Sequence, residues 1–231
     1  MKAVILGGGL GKRLRPLTEK NPKPLLRIAG KTILEWQIAW LLPQGISEFV
    51  VCAGHLGHKI ATFLEENGVR GAKVHCVIEP EPLGTAGGLF NARSLVSGDE
   101  SFIALNGDIF TDLQINKLKI RADNVIGSMA LVPLQSPFGV VEVVQRTLVK
   151  TFTEKPILKQ HWINAGVYLF KGEIFKLMPR KGSLELDVLP KLAKGKRLRA
   201  TKFPDCLWRP IDSWKDLEDL NNELGISHRL D

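Results

Sequence analysis

Short apolar runs alternate with amphipathic segments through the first half of this chain. The apolar runs predict buried strands at Lys2 to Leu6, Glu48 to Ala53, Val74 to Ile78 and Phe102 to Leu105. Helices are predicted between them, at Ile33 to Leu42, Leu56 to Asn67 and Thr85 to Val96. Pro43 and Gly68 are the stop signals of the first two helices. Alternation at this spacing implies βαβ units, which form a parallel sheet with helices on both faces.

The carboxyl ends of these strands indicate where a ligand would bind. In open α/β sheets, ligands lie outside the carboxyl ends of the strands. The loops that follow Leu6, Ile78 and Leu105 should therefore share one edge.

The second half of the chain has a different pattern. Strand-like segments with short turns between them are predicted at Val125 to Val132, Gly139 to Val144, Val149 to Thr153 and Asn164 to Phe170. Little helix is expected until Ser213 to Leu224, where Ser213 is a candidate cap and Gly225 a candidate end. We expect a mixed-sheet second half with a soft boundary near residues 110 to 125. The alternative is one continuous sheet that runs through both halves.

Charge and cysteine content indicate the kind of partner and the compartment of the protein. The chain has 32 Lys and Arg against 24 Asp and Glu, and the net charge of +8 favours anionic partners such as nucleic acid, nucleotides, sugar phosphates or an acidic membrane. Three widely spaced cysteines form no disulfide or zinc pattern, which favours a reducing cytoplasm. The N-terminus has no signal-peptide core, and no apolar run reaches the ~18 residues of a membrane span.

The segment GGGLGKRLRPLT, Gly7 to Thr18, follows the first strand. Backbone N–H groups of such a turn can cradle phosphate oxygens. A Walker A loop fails because Arg13 replaces the required Ser or Thr, and a dinucleotide fingerprint fails because Lys12 replaces its third glycine. The three cations Lys12, Arg13 and Arg15 favour a triphosphate ligand, with a plain glycine turn as the alternative.

Lys23 lies between two prolines in NPKPLL. Each proline fixes its own φ and restricts the residue before it, so Lys23 has less conformational freedom to lose on binding. Taken alone, the segment favours an ordinary surface lysine.

Six segments in order make the chain similar to the sugar-1-phosphate nucleotidyltransferases, also called NDP-sugar pyrophosphorylases. They are the glycine-rich loop, Lys-Pro-Leu, EPEPLGTAGGL (Glu79 to Leu89), LNGDIF (Leu105 to Phe110), FTEKP (Phe152 to Pro156) and NAGVYLF (Asn164 to Phe170). The resemblance extends from Met1 to about Leu220 and implies a Rossmann-like three-layer α/β sandwich with a mostly parallel mixed central sheet. It also implies one domain over residues 1–231, with a nucleotide-binding half (1–120) and a sugar-phosphate-binding half (121–231). Since the chain ends at Asp231, we expect no C-terminal β-helix domain.

The reaction of this family would be attack of a sugar 1-phosphate oxygen on the α-phosphorus of an NTP, with release of pyrophosphate. The nucleophile is already ionised, so catalysis needs positioning, charge neutralisation and a divalent metal rather than a protein nucleophile. This predicts many cations, acidic metal ligands and no Ser/His/Asp or Cys/His arrangement. The five histidines and three cysteines form no such arrangement in the sequence.

The resemblance assigns the nucleotide site residue by residue. Arg13 would hold the β- and γ-phosphates and Lys23 the α-phosphate region. Gly8, Gly9 and Gly11 would supply backbone contacts, and Gly84, Thr85 and Gly87 would lie against the nucleoside because the base needs close backbone approach. Two positions depart from the family pattern: Gly7 replaces the usual Ala, and Lys12 replaces the usual Thr and adds a candidate phosphate contact.

The resemblance also implies two Mg²⁺ ligands. Asp108 follows a strand in Asn-Gly-Asp, and a hard carboxylate oxygen suits Mg²⁺, although an Asx-turn is the alternative. In WRPIDSW the commoner family form would place the second ligand at Pro210, whereas the cytidylyltransferase-like form places it at Asp212, which we favour. The alternative is that Asp212 or Ser213 only caps the last helix.

The sugar phosphate would be held by residues of the second half. Lys155 would bind its phosphate and Glu154 a sugar hydroxyl, with Gly139 and Asn164 completing the pocket. Without the resemblance, Glu154 and Lys155 would be read as an exposed pair at the end of a strand.

The base and the sugar are left open by the motifs. LGTAG and FTEKP resemble mannose-1-phosphate guanylyltransferases, whereas VCAGHLGHKI and the Asp212 segment resemble glucose-1-phosphate cytidylyltransferases; thymidylyl and uridylyl transfer are further alternatives. The predicted partners are an NTP and a sugar 1-phosphate, with no nucleic acid or membrane partner and with a homodimer or homotetramer as a candidate assembly. The rivals are an RNA- or nucleotide-binding module, disfavoured because no stripe of aromatics and cations appears, and a regulatory paralogue without turnover.

Two further features have no family role. The basic run from Lys191 to Lys202 is interpreted as a solvated face, with electrostatic steering of anionic substrates as the alternative. Trp36 and Trp40 are four residues apart and are expected to be core or subunit contacts.

Overall fold

A computed structural model describes residues 1–96 and 98–224 of the chain. The strands are β1 (Ala3–Leu6), β2 (Arg27–Ile28), β3 (Lys31–Thr32), β4 (Glu48–Ala53), β5 (Lys73–Ile78), β6 (Ser101–Asn106), β7 (Ile109–Thr111), β8 (Gly127–Gln135), β9 (Val140–Val144), β10 (Leu148–Thr153), β11 (Ile157–Lys171), β12 (Leu198–Lys202) and β13 (Trp208–Pro210). The α-helices are α1 (Leu17–Lys20), α2 (Ile33–Leu41), α3 (Gly57–Asn67), α4 (Gly84–Asn91), α5 (Leu189–Lys194) and α6 (Trp214–Glu223).

Seven strands form one central sheet in the order β12-β8-β11-β6-β1-β4-β5. β11 runs antiparallel to both of its neighbours, and the pairings of the other six strands make them parallel. This confirms the mostly parallel mixed sheet. The sheet includes strands from both halves of the chain, as in the continuous-sheet alternative.

The central strands are buried on both faces. Along β1, Ala3 and Ile5 pack into one apolar cluster while Val4 packs into the other, because successive side chains of a strand point to opposite faces. The first cluster includes residues of α2 and α3, and the second includes residues of α4 and α5. This arrangement is the predicted three-layer sandwich, and it explains why these strands read as continuous apolar runs.

A third, smaller cluster joins the two ends of the chain. Leu14 and Leu26, from the segment that follows β1, pack with Ile211 and with Leu217 of α6. The segment that follows the glycine-rich loop is therefore held directly against the last helix.

Several predicted boundaries were wrong in the second half. β11 begins at Ile157 rather than Asn164, and the short strands β7, β12 and β13 were missed. A π-helical turn at Leu184–Val188 and α5 also lie where little helix was expected. Pro190 does not break α5, because it lies in the first turn, where a helix tolerates proline.

The basic run is not a plain solvated face. It contains the end of α5 and all of β12, which pairs parallel to β8 at the edge of the sheet. Leu192 and Leu198 pack into the core, while most cations of the run are exposed, as a solvated face requires. Those on β12, Arg199 and Lys202, lie on an edge strand, where charge blocks edge-to-edge aggregation.

The start of α6 and the contacts of Trp36 and Trp40 agree with the sequence predictions. Ser213 forms a capping box with Asp216 at the start of α6, as predicted, whereas the predicted end at Gly225 lies outside the described residues. The indole N–H groups of Trp36 and Trp40 donate to the carbonyls of Ile28 and Leu113, and both rings pack at the edges of the core. Within residues 1–96 and 98–224, no helix combines the length and apolar content that a membrane crossing requires.

Candidate active site

The glycine-rich loop and the end of β6 lie at the same edge of the sheet. The Gly7 N–H donates to the Cys52 carbonyl at the end of β4, and the Gly107 N–H donates to the Leu6 carbonyl, both at 2.9 Å. The predicted convergence of loops is therefore present, and the Glu79 N–H joins it by donating to Ala53 at 2.7 Å. A cavity of about 280 Å³ opens here. Its walls include Gly8, Gly9, Lys23, Glu79, Gly84, Thr85 and Asp108.

Lys23 lies between two carboxylates beside this cavity. Its ammonium nitrogen is 2.8 Å from Asp108 Oδ2 and 2.9 Å from Asp212 Oδ1, and its side chain is 10% exposed. Arg13 Nη2 lies 3.0 Å from the other oxygen of Asp212. Residues that are 85 and 189 positions from Lys23 in sequence thus meet around one ammonium group.

A short antiparallel ladder brings the two aspartates together. β7 pairs with β13, with Ile109 opposite Pro210, and the Ile211 N–H donates to the Asp108 carbonyl at 2.8 Å. Pro210 is therefore part of the ladder, while Asp212 projects beyond it toward Lys23. Ser213 caps α6, so the side chain of Asp212 is available for the cations.

The donor set suits a small divalent cation. Mg²⁺ in proteins is usually bound by one or two carboxylates together with waters and substrate phosphates. Asp108 and Asp212 supply two carboxylates within reach of a single cation position. In the described part of the chain, no group of three or more His, Cys, Asp or Glu side chains is placed to hold a metal ion.

The other predicted nucleotide residues have different surroundings. Lys12 is exposed in a 3₁₀ turn, and Gly11 adopts a left-handed conformation against Thr18. Gly84 has φ +76°, and a Cβ there would collide with the Gly182 carbonyl; a Cβ on Gly87 would approach the Arg180 carbonyl. The backbone of residues 180–182 thus leaves no room for a side chain at either position. The expected reason was close approach of a nucleoside base, whereas the structure shows close approach of the protein's own backbone.

Thr85 contacts the same neighbouring segment. Its hydroxyl donates to Glu185 at 2.7 Å and accepts from the Leu184 N–H at 2.8 Å. Thr85 also lines the cavity, so it joins α4 to the π-helical turn at this wall of the cavity.

Of the predicted sugar-side residues, Gly139, Glu154 and Lys155 do not line the first cavity, whereas Asn164 lies close to its wall. Glu154 and Lys155 are 62% and 49% exposed and 3.9 Å apart, and Lys155 lines a separate cavity beside β13. A Cβ on Gly139 would contact the Phe152 ring and the Glu154 carboxylate, so these three residues are neighbours. Asn164 bonds to Tyr168 and to the Gly166 N–H, and Gly166 packs against Asn106 at the wall of the first cavity.

Glu79 lines the cavity but was not among the predicted site residues. Its carboxylate lies against Gly8 and Gly88, where a Cβ would come within 2.7 and 2.6 Å of an oxygen, and it accepts from the Leu83 N–H at 3.1 Å. Burial raises the pKa of the Glu79 carboxyl, and the Leu83 hydrogen bond opposes that shift. The signal was its position directly after β5, at the carboxyl edge of the sheet.

His55 was missed as well. Its backbone N–H donates to the Gly8 carbonyl at 3.2 Å, and its ring Nε2 lies 3.0 Å from the Thr18 carbonyl. Because a carbonyl only accepts, Nε2 carries the proton in this contact. His55 thus joins the two ends of the segment from Gly8 to Thr18, and its position directly after the β4 edge was the available signal.

The thiols take no part in this arrangement. All three cysteines are free. Burial raises the pKa of the Cys52 thiol well above its usual range and that of Cys76 to about 11, so both remain protonated at neutral pH.

Comparison with known proteins shows the family of the chain and agrees with its fold. The family described as "Nucleotidyl transferase" matches residues 2–226, and the chain belongs to that family. The chain is 34% identical over 207 residues to D-glycero-alpha-D-manno-heptose 1-phosphate guanylyltransferase of Campylobacter jejuni, covering 89% of this chain and 92% of that one. It is 33% identical over 224 residues to the catalytic subunit beta of mannose-1-phosphate guanylyltransferase of Dictyostelium discoideum. That match covers 94% of this chain but only 62% of the relative, so the chain spans less than two thirds of its length.

A solved structure has a similar fold. HddC from Yersinia pseudotuberculosis superposes with a TM-score of 0.73 at 27% identity, over 96% of this chain and 99% of that one. That protein has also been solved in complex with GMP-PN. The resemblance inferred from the motifs is therefore confirmed at the level of the family.

Proposed function

We propose that this chain transfers a guanylyl group from GTP to a sugar 1-phosphate of manno configuration, forming a GDP-sugar and pyrophosphate. The observation that supports this reaction is the position of Lys23, buried between Asp108 and Asp212 with Arg13 beside them. We place the enzyme in the cytoplasm, where its three cysteines would stay reduced.

The reaction needs no proton transfer. An ionised phosphate oxygen of the sugar 1-phosphate attacks the α-phosphorus, a new P–O bond forms, and the bond to the β-phosphate oxygen breaks. Pyrophosphate leaves with the bonding electrons as an anion. The protein therefore has to align two anions and stabilise negative charge at the phosphorus rather than supply a nucleophile.

The cations of the site have separable roles. Two charge-assisted hydrogen bonds hold Lys23 beside the carboxylates of Asp108 and Asp212. Mg²⁺ on the same carboxylates would leave the Lys23 ammonium next to the metal, where it could contact the α-phosphate. Arg13 is 75% exposed, and its guanidinium, 3.0 Å from Asp212, would bind the β- and γ-phosphates of an entering NTP. The exposed Lys12 adds a further charge on this side. Mg²⁺ held by Asp108 and Asp212 would neutralise phosphate charge during the displacement.

Glu79 favours a guanine base. It is the carboxylate at the glycine-loop side of the cavity, next to Gly8 and Gly88. Guanine presents N1–H and the N2 amino group side by side, and an ionised carboxylate can accept from both. The other common bases lack this pair of adjacent donors. The guanylyltransferase names of the relatives and the GMP-PN complex of HddC agree with this assignment.

Sugar recognition is assigned to the second half. Lys155 would bind the sugar phosphate, Glu154 a hydroxyl, and Gly139 and Asn164 would complete the pocket. Both curated relatives are named for manno-configured 1-phosphates, which supports mannose 1-phosphate or a manno-heptose 1-phosphate as the acceptor.

A grid of nucleotides against sugar 1-phosphates tests the proposal. GTP, ATP, CTP, UTP and dTTP would be paired with mannose, glucose and D-glycero-α-D-manno-heptose 1-phosphates, and pyrophosphate release measured with Mg²⁺. We expect the highest kcat/KM with GTP and a manno sugar. A preference for another nucleotide would overturn the base assignment, and NTP binding without turnover across the grid would identify a regulatory paralogue.

The metal assignment has its own test. Asp212→Asn should abolish Mg²⁺-dependent turnover with little change in Tm, because the α6 cap is made by Ser213 and Asp216. Glu218→Gln, on the same helix and outside both the first cavity and the cavity lined by Lys155, serves as the matched control and should keep both turnover and Tm. Loss of the fold in Asp212→Asn would indicate a structural role for Asp212 instead.

A further inference from the structure

The hairpin of β9 and β10 projects from the body of the molecule. These two strands pair only with each other among the described strands, and every residue from Val140 to Lys155 is exposed. An isolated two-stranded hairpin is at best marginally stable in water, so this one needs packing on at least one face.

One face of the hairpin is entirely apolar. In the antiparallel register, Val141 lies opposite Phe152 and Val143 opposite Val149, and alternation along β9 places both pairs on the same face. These four side chains are 44–64% exposed. The opposite face is mixed: it has Val140, Val144 and Leu148, but also Glu142, whose carboxylate is 2.7 Å from the Lys150 ammonium. We call the four apolar residues the hairpin face.

The hairpin face continues into its flanks. Phe138 and Ile157, just outside the two strands, are 75% and 58% exposed. Six exposed apolar side chains amount to several hundred Å², and a standard interface takes about 800 Å² from each partner, so this patch would fill most of one. Contiguous apolar patches of this size mark interaction surfaces.

A second copy of this chain fits the hairpin face best. The patch is self-complementary in chemistry, and each strand has one unpaired edge, so a two-fold axis can place the same face and edge of two copies against each other. The distribution of charge also favours a second copy of the chain as the partner. The chain has a net charge of +8, but residues 138–157 contain three cations and two acids, so two copies meet here with little repulsion. An anionic partner would prefer the basic region around β12.

We propose that two copies pair through the hairpin face, and that this dimer fixes the sugar-phosphate side of the site. This second part rests on the proposed function. Phe152 belongs to the hairpin face and also lies against Gly139 and Glu154, at the root of the hairpin. In a single copy, Glu154 is exposed and Gly139 is partly exposed. A partner that packs on Phe152 would therefore fix the positions of both residues.

Sedimentation velocity over a wide concentration range tests the dimer without any substrate. We expect the wild-type chain to be a dimer and Val143→Glu to be a monomer with a similar Tm. Leu186→Glu is the matched control, because Leu186 is 80% exposed but lies outside the hairpin; it should remain a dimer. If Val143→Glu fails to fold, Val149→Glu replaces it. A wild-type monomer at every concentration, or a dimer in the folded hairpin variant, would overturn the proposal.

Kinetics then test the link to the site. In the monomeric variant, we expect KM for the sugar 1-phosphate to rise by about tenfold or more, with KM for GTP nearly unchanged. Equal changes in both constants, or none, would overturn the link while leaving the dimer in place. If the wild-type chain shows no turnover, the proposed function fails, and the sedimentation result still decides the dimer.

Discussion

The two sides of the candidate site differ in how they are held. On the nucleotide side, Lys23 is 10% exposed and fixed by two carboxylates, and the glycine-rich loop is bonded to β4 and to His55. On the sugar side, Glu154 and Lys155 are largely exposed at the root of a hairpin that packs on little else. If our proposals hold, the nucleotide side is pre-organised by the fold, and we expect the sugar side to acquire its geometry from substrate or from a second copy.

The largest expected effect tests the pre-organised side. Lys23→Met removes the ammonium between Asp108 and Asp212, and we expect kcat to fall by about 10²–10³-fold, the usual loss when one pre-positioned charge is removed from a developing negative charge. Initial rates of pyrophosphate release measure this. Lys73→Met, at the amino end of β5 on the far edge of the sheet, is the control and should retain full activity. A loss below about fivefold would show that Lys23 is not at the reacting phosphorus.

The next effect tests the open side. Lys155→Ala should raise KM for the sugar 1-phosphate by roughly 10–100-fold, because hydrogen bonds to charged groups contribute about 1.5–3 kcal/mol. KM for the NTP should change little. Steady-state kinetics with each substrate varied in turn separates the two constants, with Lys159→Ala as the control. An equal rise in both constants would contradict the division of the site into two sides.

A smaller effect is expected at His55, which positions the glycine-rich segment. His55→Leu removes the bond to the Thr18 carbonyl and should raise KM for the NTP by about tenfold, equivalent to about 1.4 kcal/mol, while KM for the sugar 1-phosphate stays near its original value. His55→Gln keeps an N–H donor and should recover most of the affinity. If both variants lower Tm equally without changing the ratio of the two KM values, His55 has only a structural role.

The smallest effect concerns stability at Glu79. Burial raises its pKa in the folded state, so folding favours the protonated form, and stability is lost as pH rises through that folded pKa. Glu79→Gln has no charge to bury. It should therefore raise Tm by a few degrees near about pH 8 and by less near about pH 4. Thermal melts across this range measure the difference, and a Tm gain that does not depend on pH would contradict it.

The same variant tests base selection. Because a glutamine amide offers one acceptor oxygen in place of two carboxylate oxygens, Glu79→Gln should lower kcat/KM for GTP relative to the other NTPs. An unchanged order of nucleotides would remove Glu79 from the base site.

Much of the fold was predictable because its signals are local. β1 and β4 are continuous apolar runs, the bounds of β4 were predicted to the residue, and α3 ends at Gly68 as expected. The Ser213 cap was equally visible, since a cap needs only its own next few residues. β7 and β13 were missed because each has three residues and is defined only by the other, about a hundred positions away.

The candidate site divides in the same way. The sequence by itself determined the types of group available: a glycine-rich turn with cations, a lysine between prolines, and aspartates after strand ends. The sequence also favoured Asp212 over Pro210 as the second carboxylate. Only the tertiary structure decided that Asp108 and Asp212 share the Lys23 ammonium, that Glu79 and His55 join the glycine-rich loop, and that Glu154 and Lys155 are exposed at the root of a hairpin. The physical reason is the sequence separation of the interacting residues. Caps and strand patterns depend on neighbours in sequence, whereas an ammonium shared by two distant carboxylates depends on how the packed sheet brings its loops together.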